Sequence, residues 1–217
     1  MCDQENAIGT WICENAHRSE ERFPTIDATA YVAPTATICG DVVIGPNTYV
    51  AFGAVLTAEG GSIRIGAECV IREQAVIRAT QKHNTVIGNH VLIGPHAYLV
   101  GCVVGDCAFL ATGANAFHGA NIGARAEVRI YGTVHVQTRL PPDTEMPIGW
   151  VAAGDPAHIL PPDRHDEIWK ILGPLNFPDV GYGIDRPASG GMDLRGITRT
   201  VTRELRQRHE RDVVRMS

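Results

Sequence analysis

The sequence predicts an all-β solenoid, in which short strands coil around an apolar interior. The first observation is that aliphatic residues recur every six positions over more than half of the chain. The second is that glycine often follows them, as in Ile44-Gly45, Ile87-Gly88 and Ile122-Gly123. A period of six fits neither a helical stripe nor strand alternation, but it suits three short strands and three tight corners per coil. The recurring positions are Ile38, Ile44, Val50, Leu56, Ile65, Ile71, Ile77, Ile87, Ile93, Leu99, Val104, Leu110, Ala116, Ile122, Val128, Val134 and Leu140.

Composition and charge exclude several classes of function. The chain has 217 residues and a net charge of -5, and no block of basic residues precedes its C-terminal end, so we expect no nucleic-acid partner. No apolar run is long enough to cross a membrane, and the first thirty residues lack the apolar core of a signal peptide. We therefore expect a cytoplasmic protein with no membrane partner.

The repeat divides the chain into three parts. Residues 1–30, with Trp11 and Phe23, are predicted to form an N-terminal cap, because an open coil exposes apolar core and strand edges. Residues 31–160 form the predicted β-helix. Its period is interrupted at 59–61 and at 79–86, where we expect longer corners on one side of the coil. Loops that leave a rigid scaffold together commonly build a binding site.

Residues 161–217 are predicted to be a helical extension. Before it, 148–157 is expected to be the strand that closes the coil. A short helix is predicted over 163–172, capped by Asp163 and ended by Gly173-Pro174. Glycine and proline make 175–191 an expected loose segment. A second helix is predicted over 192–214, with a basic face that is solvated or packed on a neighbouring subunit.

Repeated apolar–glycine motifs identify a family. They include Val42-Val43-Ile44-Gly45, Ile63-Arg64-Ile65-Gly66, Val91-Leu92-Ile93-Gly94 and Val104-Gly105-Asp106. With the five-residue step after Leu99 and the insertion after Arg78, they make residues 25–160 resemble the γ-class carbonic anhydrases. The resemblance implies a left-handed parallel β-helix of hexapeptide repeats, here with C-terminal helices. It also implies a homotrimer with active sites between subunits.

The zinc-binding histidines of that family have no counterparts in this sequence. The resemblance places Arg78, Pro95 and Val100 at the three ligand positions, and Arg72 in place of an active-site glutamine. Proline and valine side chains have no donor atom, and a guanidinium repels a cation. We therefore expect no zinc and no carbonic anhydrase activity, since hydration of carbon dioxide needs the metal-bound water.

The family's layout predicts which residues would occupy the former metal cleft. Arg78, Val100, Phe117 and His135 follow inward aliphatic residues one coil apart, and a second ladder comprises Phe52, Glu73, Pro95, Thr112 and Ile130. The two ladders are expected to meet across the subunit interface. The predicted catalytic residues are Arg78, Glu73, Arg72, His96 and Tyr98, and the predicted substrate-binding residues are Val100, Phe117, Thr112, Pro95, His83 and His135.

Several of these residues have two interpretations. Arg78 is either a clamp for a substrate carboxylate or phosphate, or one side of a salt bridge with Glu73 or Glu59. Glu73 is accordingly a general base or a structural partner. His96, with His83 and His135, could be a relocated metal site, although no spacing motif supports one. His118 is expected on the outer surface, as an acid or base or as an inert side chain.

Three functions follow from these alternatives. The first is a metal-independent enzyme, with no cofactor, that acts on a small anionic metabolite by acid–base or oxyanion-stabilising chemistry. The second is acyl transfer from coenzyme A (CoA), as in other left-handed β-helix trimers, with His83 as the base. The third is a non-catalytic scaffold or binding protein.

Overall fold

The protein is a left-handed parallel β-helix of seven coils, followed by C-terminal helices. The computed structural model describes residues 11–14, 23–182, 194–209 and 213–215. Each coil contributes one strand to each of three faces, and strands on a face pair in parallel with the coils above and below. The predicted fold class is thus confirmed. Every aliphatic position of the six-residue repeat is at most 3% exposed, in one continuous core.

Within the described ranges, face 1 is a separate sheet of seven strands. Its strands are Tyr31–Val32, Tyr49–Val50, Val70–Ile71, Leu92–Ile93, Phe109–Leu110, Glu127–Val128 and Glu145–Met146. The second residue of each strand points into the core and the first points outward. Most strands are followed by a turn in which one residue has a left-handed backbone conformation. Each turn stacks on the equivalent turn of the next coil.

Faces 2 and 3 are connected because two long strands, Thr37–Ile44 and Val55–Ile65, continue around the corner between them. Face 2 also contains Val76–Thr80, Tyr98–Val100, Asn115–Ala116, Thr133–Val134 and Val151–Ala153. Face 3 also contains Thr25–Ile26, Thr85–Ile87, Val103–Val104, Asn121–Ile122 and Arg139–Leu140. Residues 59–61, expected to be a long corner, belong to the Val55–Ile65 strand, since Glu59 pairs with Thr80.

The two ends of the coil carry additional strands. Trp11–Glu14 pairs in parallel with Thr37–Ile44 and antiparallel with Val213–Arg215. His158–Leu160 folds back antiparallel on Val151–Ala153 after the predicted closing segment. Most of residues 1–30, including the side chain of Trp11, lies outside the described residues, so the N-terminal cap stays a prediction.

In the part of the chain that the structure describes, three α-helices follow the β-helix: α1 (His165–Leu172), α2 (Phe177–Tyr182) and α3 (Leu194–His209), with a 3₁₀ turn at Gly173–Leu175 between α1 and α2. Two expectations were wrong. Asp163 does not cap α1, because Arg164 occupies the N-cap position and makes no side-chain capping bond. The segment 175–191, expected to be loose, includes α2. Within the described residues, no helix has the length and apolar character needed to span a membrane.

Candidate functional site

Arg78 lies on face 2 and is held by two side chains. Its Nη2 donates to both carboxylate oxygens of Glu59, each at 2.7 Å, and its Nη1 donates to the Tyr98 hydroxyl at 3.1 Å. Burial lowers the pKa of the guanidinium, but the hydrogen bonds and charge of Glu59 and Tyr98 outweigh it, and the pKa is raised overall. Of the two partners predicted for a salt bridge, the structure selects Glu59. Arg78 therefore remains a cation with its charge balanced.

The inserted turn after Arg78 brings His83 against the end of face 2. Thr80 and His83 exchange two backbone hydrogen bonds, of 2.9 and 3.1 Å, and close the turn tightly. Gly101 makes the close approach possible: its φ is +57°, and a Cβ there would lie 2.5 Å from the Cβ of His83. Only glycine accepts that backbone conformation without strain at so close a contact. Burial, and secondarily the charge of Lys82, lowers the pKa of His83.

His118 is buried beside His83. Its ring lies 5.6 Å from the His83 ring in an edge-to-face arrangement, and the residue is only 8% exposed. No described residue is a hydrogen-bond partner for its Nδ1 atom. Burial, with smaller contributions from His83 and Arg78, lowers the pKa of His118 to about 4. The expectation that His118 lies on the outer surface was wrong.

His135 is a second neutral imidazole, with a defined tautomer. The Val136 N–H donates to its Nδ1 at 2.8 Å, so that nitrogen is an acceptor and the proton of the neutral ring is on Nε2. Burial lowers the pKa of His135. The ring also packs against Phe117 at 5.7 Å, and Phe117 lies 6.1 Å from Tyr98.

The structure brings together seven residues that the sequence analysis named and adds one. Phe117, His118 and His135 all contact Phe177 of α2, at centroid distances of 6.2 to 6.5 Å. Sequence reasoning missed Phe177, because nothing in the pattern around it shows where the chain returns after the β-helix. We call this group the histidine site; its members are Arg78, Glu59, Tyr98, His83, Phe117, His118, His135 and Phe177.

The second predicted ladder lies at a different corner, between faces 1 and 2. There the carbonyl oxygen of each ladder residue accepts a hydrogen bond from the next coil, as from His96 N–H to Glu73. Arg72 donates through Nε to Glu73 at 2.9 Å, and this bond lowers the pKa of the Glu73 carboxylate. Within one chain, Glu73 therefore pairs with Arg72 and not with Arg78.

An open groove of about 430 Å³ runs along this corner and face 1. Its lining includes Arg72, Pro95 and Thr112, together with exposed apolar side chains. Those apolar residues are Leu92, Phe109, Ile130 and Ile148. The predicted residues thus form two groups on one chain, and whether they meet across a subunit interface stays a prediction.

The residues at the expected ligand positions do not fit a zinc ion. Arg78 and Val100 are paired in register on adjacent coils, but one is a cation and the other is an apolar side chain with 1% exposure. Pro95, at the other corner, has no side-chain donor. Among the described residues, no group of three His, Cys, Asp or Glu side chains is placed to hold a metal. His96 lies at a different corner from His83 and His135, which argues against the relocated metal site.

Comparison with known proteins gives relatives that include a γ carbonic anhydrase and a carnitine operon protein. Gamma carbonic anhydrase 1, a mitochondrial protein of Arabidopsis thaliana, is 30% identical over 154 residues, which is 68% of this chain and 54% of that protein. This chain is a hexapeptide-repeat protein related to the γ carbonic anhydrases. Because the match covers 54% of the Arabidopsis protein, this chain spans about half the length of that relative. The carnitine operon protein CaiE of Escherichia coli is 26% identical over 162 residues, covering 74% of this chain and 80% of CaiE.

A solved structure shares the fold of this chain. A putative acetyltransferase from Desulfovibrio desulfuricans G20 superposes with a TM-score of 0.53, at 11% identity, over 76% of this chain and 40% of that one. An identity this low shows a shared fold alone. No family model matches the chain.

Proposed function

We propose that this protein is a metal-independent enzyme that acts on a small anionic metabolite by acid–base chemistry at the histidine site. The observation that carries the proposal is His118. Its Nδ1 is buried without a described partner, and its lowered pKa keeps the ring neutral at physiological pH. A buried polar atom without a partner costs about 1–3 kcal/mol, so such atoms are uncommon unless they have a role.

The side chains around His118 supply the hydrogen-bond donors and the cation that the proposed reaction needs. His118 accepts a proton through Nδ1, and His135 offers a fixed N–H donor from Nε2. The Tyr98 oxygen already accepts a bond from Arg78, so its own O–H is free to donate to a developing oxyanion. Arg78 attracts the anionic group of the substrate. That group replaces the Glu59 carboxylate as the partner of the guanidinium. Part of the Arg78 side chain, 32%, is exposed for this exchange.

A proton-exchange experiment tests the proposal without knowledge of the natural substrate. Pyruvate and other small 2-oxo acids exchange their α-protons with D₂O when a base removes a proton next to the carbonyl. We expect the protein to accelerate this exchange, measured by ¹H NMR, for at least one acid of a panel. His118→Gln should slow it by about 10²-fold or more, because the proton acceptor is lost.

The pH profile provides a second readout of the same base. Since His118 must be neutral to accept a proton, the rate should fall only as pH drops through about 4, below the ordinary histidine value of 6.5. Asp179→Asn, at an exposed position on α2, is the control and should keep the full rate. Absence of exchange for the whole panel, or an unchanged rate in His118→Gln, would contradict the proposal.

A second candidate, acyl transfer from CoA, is favoured by one observation. His83 lies in the inserted turn and has a lowered pKa, as a general base at neutral pH requires. Titration with acetyl-CoA, followed by calorimetry, distinguishes the candidates. Binding of acetyl-CoA supports acyl transfer, whereas no binding excludes it.

A further inference from the structure

Helix α2 lies directly on the histidine site. The Phe177 ring meets Phe117 and His135 edge-on, at 84° and 69°, and lies 6.5 Å from His118. Pro178 is buried, and a Cβ at Gly181 would be 3.9 Å from the Cε1 atom of His118. The helix and the Phe177 ring therefore account for much of the burial of His118.

The connection of α2 to the β-helix differs from that of the coils to one another. Neighbouring coils are joined by ladders of backbone hydrogen bonds on every face. Among the described residues no strand pairs with α2, and its contacts with the coil include those of the Phe177 ring with three rings of the β-helix. An element outside the strand ladders opens at a lower free-energy cost than a strand of the coil.

We propose that α2 is a lid on the histidine site and that Phe177 is the residue that keeps it closed. This inference rests on the proposed function, because it makes lid opening the step that exposes His118 Nδ1 to substrate. It also explains how a base can be both buried and useful. In the closed state, the Phe177 ring excludes water from the imidazoles, and displacement of the ring admits the substrate.

Chemical modification of histidine measures the lid independently of turnover. Diethyl pyrocarbonate acylates neutral imidazoles that it can reach, and peptide mass spectrometry gives a rate for each histidine. In the wild type we expect His118 to react far more slowly than His90, which is exposed. Phe177→Ala should raise the His118 rate by at least about tenfold, which corresponds to about 1.4 kcal/mol of closing free energy.

Two further variants keep this experiment decisive. Phe177→Leu retains an apolar cover and should give a smaller increase, while Asp179→Asn, on the exposed side of α2, should give none. Circular dichroism verifies that the β-helix stays folded in each. The lid is overturned if His118 reacts as fast as His90 in the wild type, or if Phe177→Ala leaves its rate unchanged. If the rate rises but His118→Gln keeps full turnover, the lid stands and the proposed base is wrong.

Discussion

At the scale of single residues, Arg78 shows how a charge is accommodated on a solenoid. The Glu59 carboxylate faces it from the neighbouring coil, and 14% of the Glu59 side chain is exposed. Both side chains are therefore partly withdrawn from water, where an ion pair has more effect than at an exposed position. The Arg125–Asp143 pair has similar chemistry, but each of its side chains is 61% exposed.

This contrast gives a prediction about stability. Glu59→Gln should lower the free energy of unfolding by about 1–3 kcal/mol, because the half-buried guanidinium loses its charged partner. Asp143→Asn, the matched control, should cause no measurable change, because water screens the exposed pair. Urea denaturation at neutral pH measures both. Equal effects of the two substitutions would show that Arg78 does not depend on Glu59.

The sequence predicted some of the residues of the histidine site. Repeat register placed Arg78, Val100, Phe117 and His135 on one ladder, and the structure keeps them in that order. The sequence could not predict the burial of His118, because that burial depends on contact with a helix some sixty residues later in the chain. The six-residue repeat predicts the direction in which a side chain points, but it does not predict which later segment of the chain covers that side chain.

At the scale of elements, each strand of the coil separates an inward from an outward residue. In the two-residue strand Val103–Val104, Val104 is 1% exposed and its neighbour Val103 is 42% exposed. The alternation follows from strand geometry, in which successive side chains point to opposite faces. Packing energy therefore differs sharply between adjacent residues of the same type.

A pair of valine substitutions tests this difference. Val104→Ala should destabilise the protein by about 2 kcal/mol, since it removes two buried methyl groups and leaves a cavity. Val103→Ala should change the stability by less than about 0.5 kcal/mol, because its side chain is largely in water. Thermal or urea unfolding of the two variants gives the comparison. Similar losses in both would mean that face 3 is covered in solution.

The elements after the coil were predicted less well than the coil itself. The six-residue period is sustained by seven coils that repeat one set of contacts, so its register is determined many times over. The segment around α2 has no repeat, and Gly173, Pro174 and Pro178 suggested irregular chain. Packing of Phe177 against three rings of the β-helix overrode that local preference.

At the scale of the whole molecule, face 1 is the surface best suited to self-association. Tyr31 and Tyr49 stack on it at 4.9 Å, and Leu92 and Phe109 are exposed farther along. The groove beside them contains more apolar side chains. A contiguous apolar surface of this kind marks a protein interface. We propose that face 1 and its corner form the homotrimer interface, which would bring Glu73, Pro95 and Thr112 towards Arg78 of a neighbour.

Sedimentation equilibrium tests this assembly. We expect a particle of three 23.4 kDa chains. Phe109→Glu should dissociate it, because a charge would be buried without a partner in the interface. Val86→Glu is the control, since Val86 is similarly exposed, at 40%, but lies on face 3. A monomeric wild type, or a trimer that survives Phe109→Glu, would contradict the proposed interface.

The sequence by itself determined the coil, its register and the side chains at the positions where the resemblance predicted zinc ligands. It could do so because a repeat specifies direction: every sixth side chain must enter the same apolar column. Only the tertiary structure decided that Arg78 pairs with Glu59, that His118 is neutral and buried, and that Phe177 covers it. These contacts join residues far apart in the chain through burial and packing, which depend on three-dimensional proximity and leave no period in the sequence.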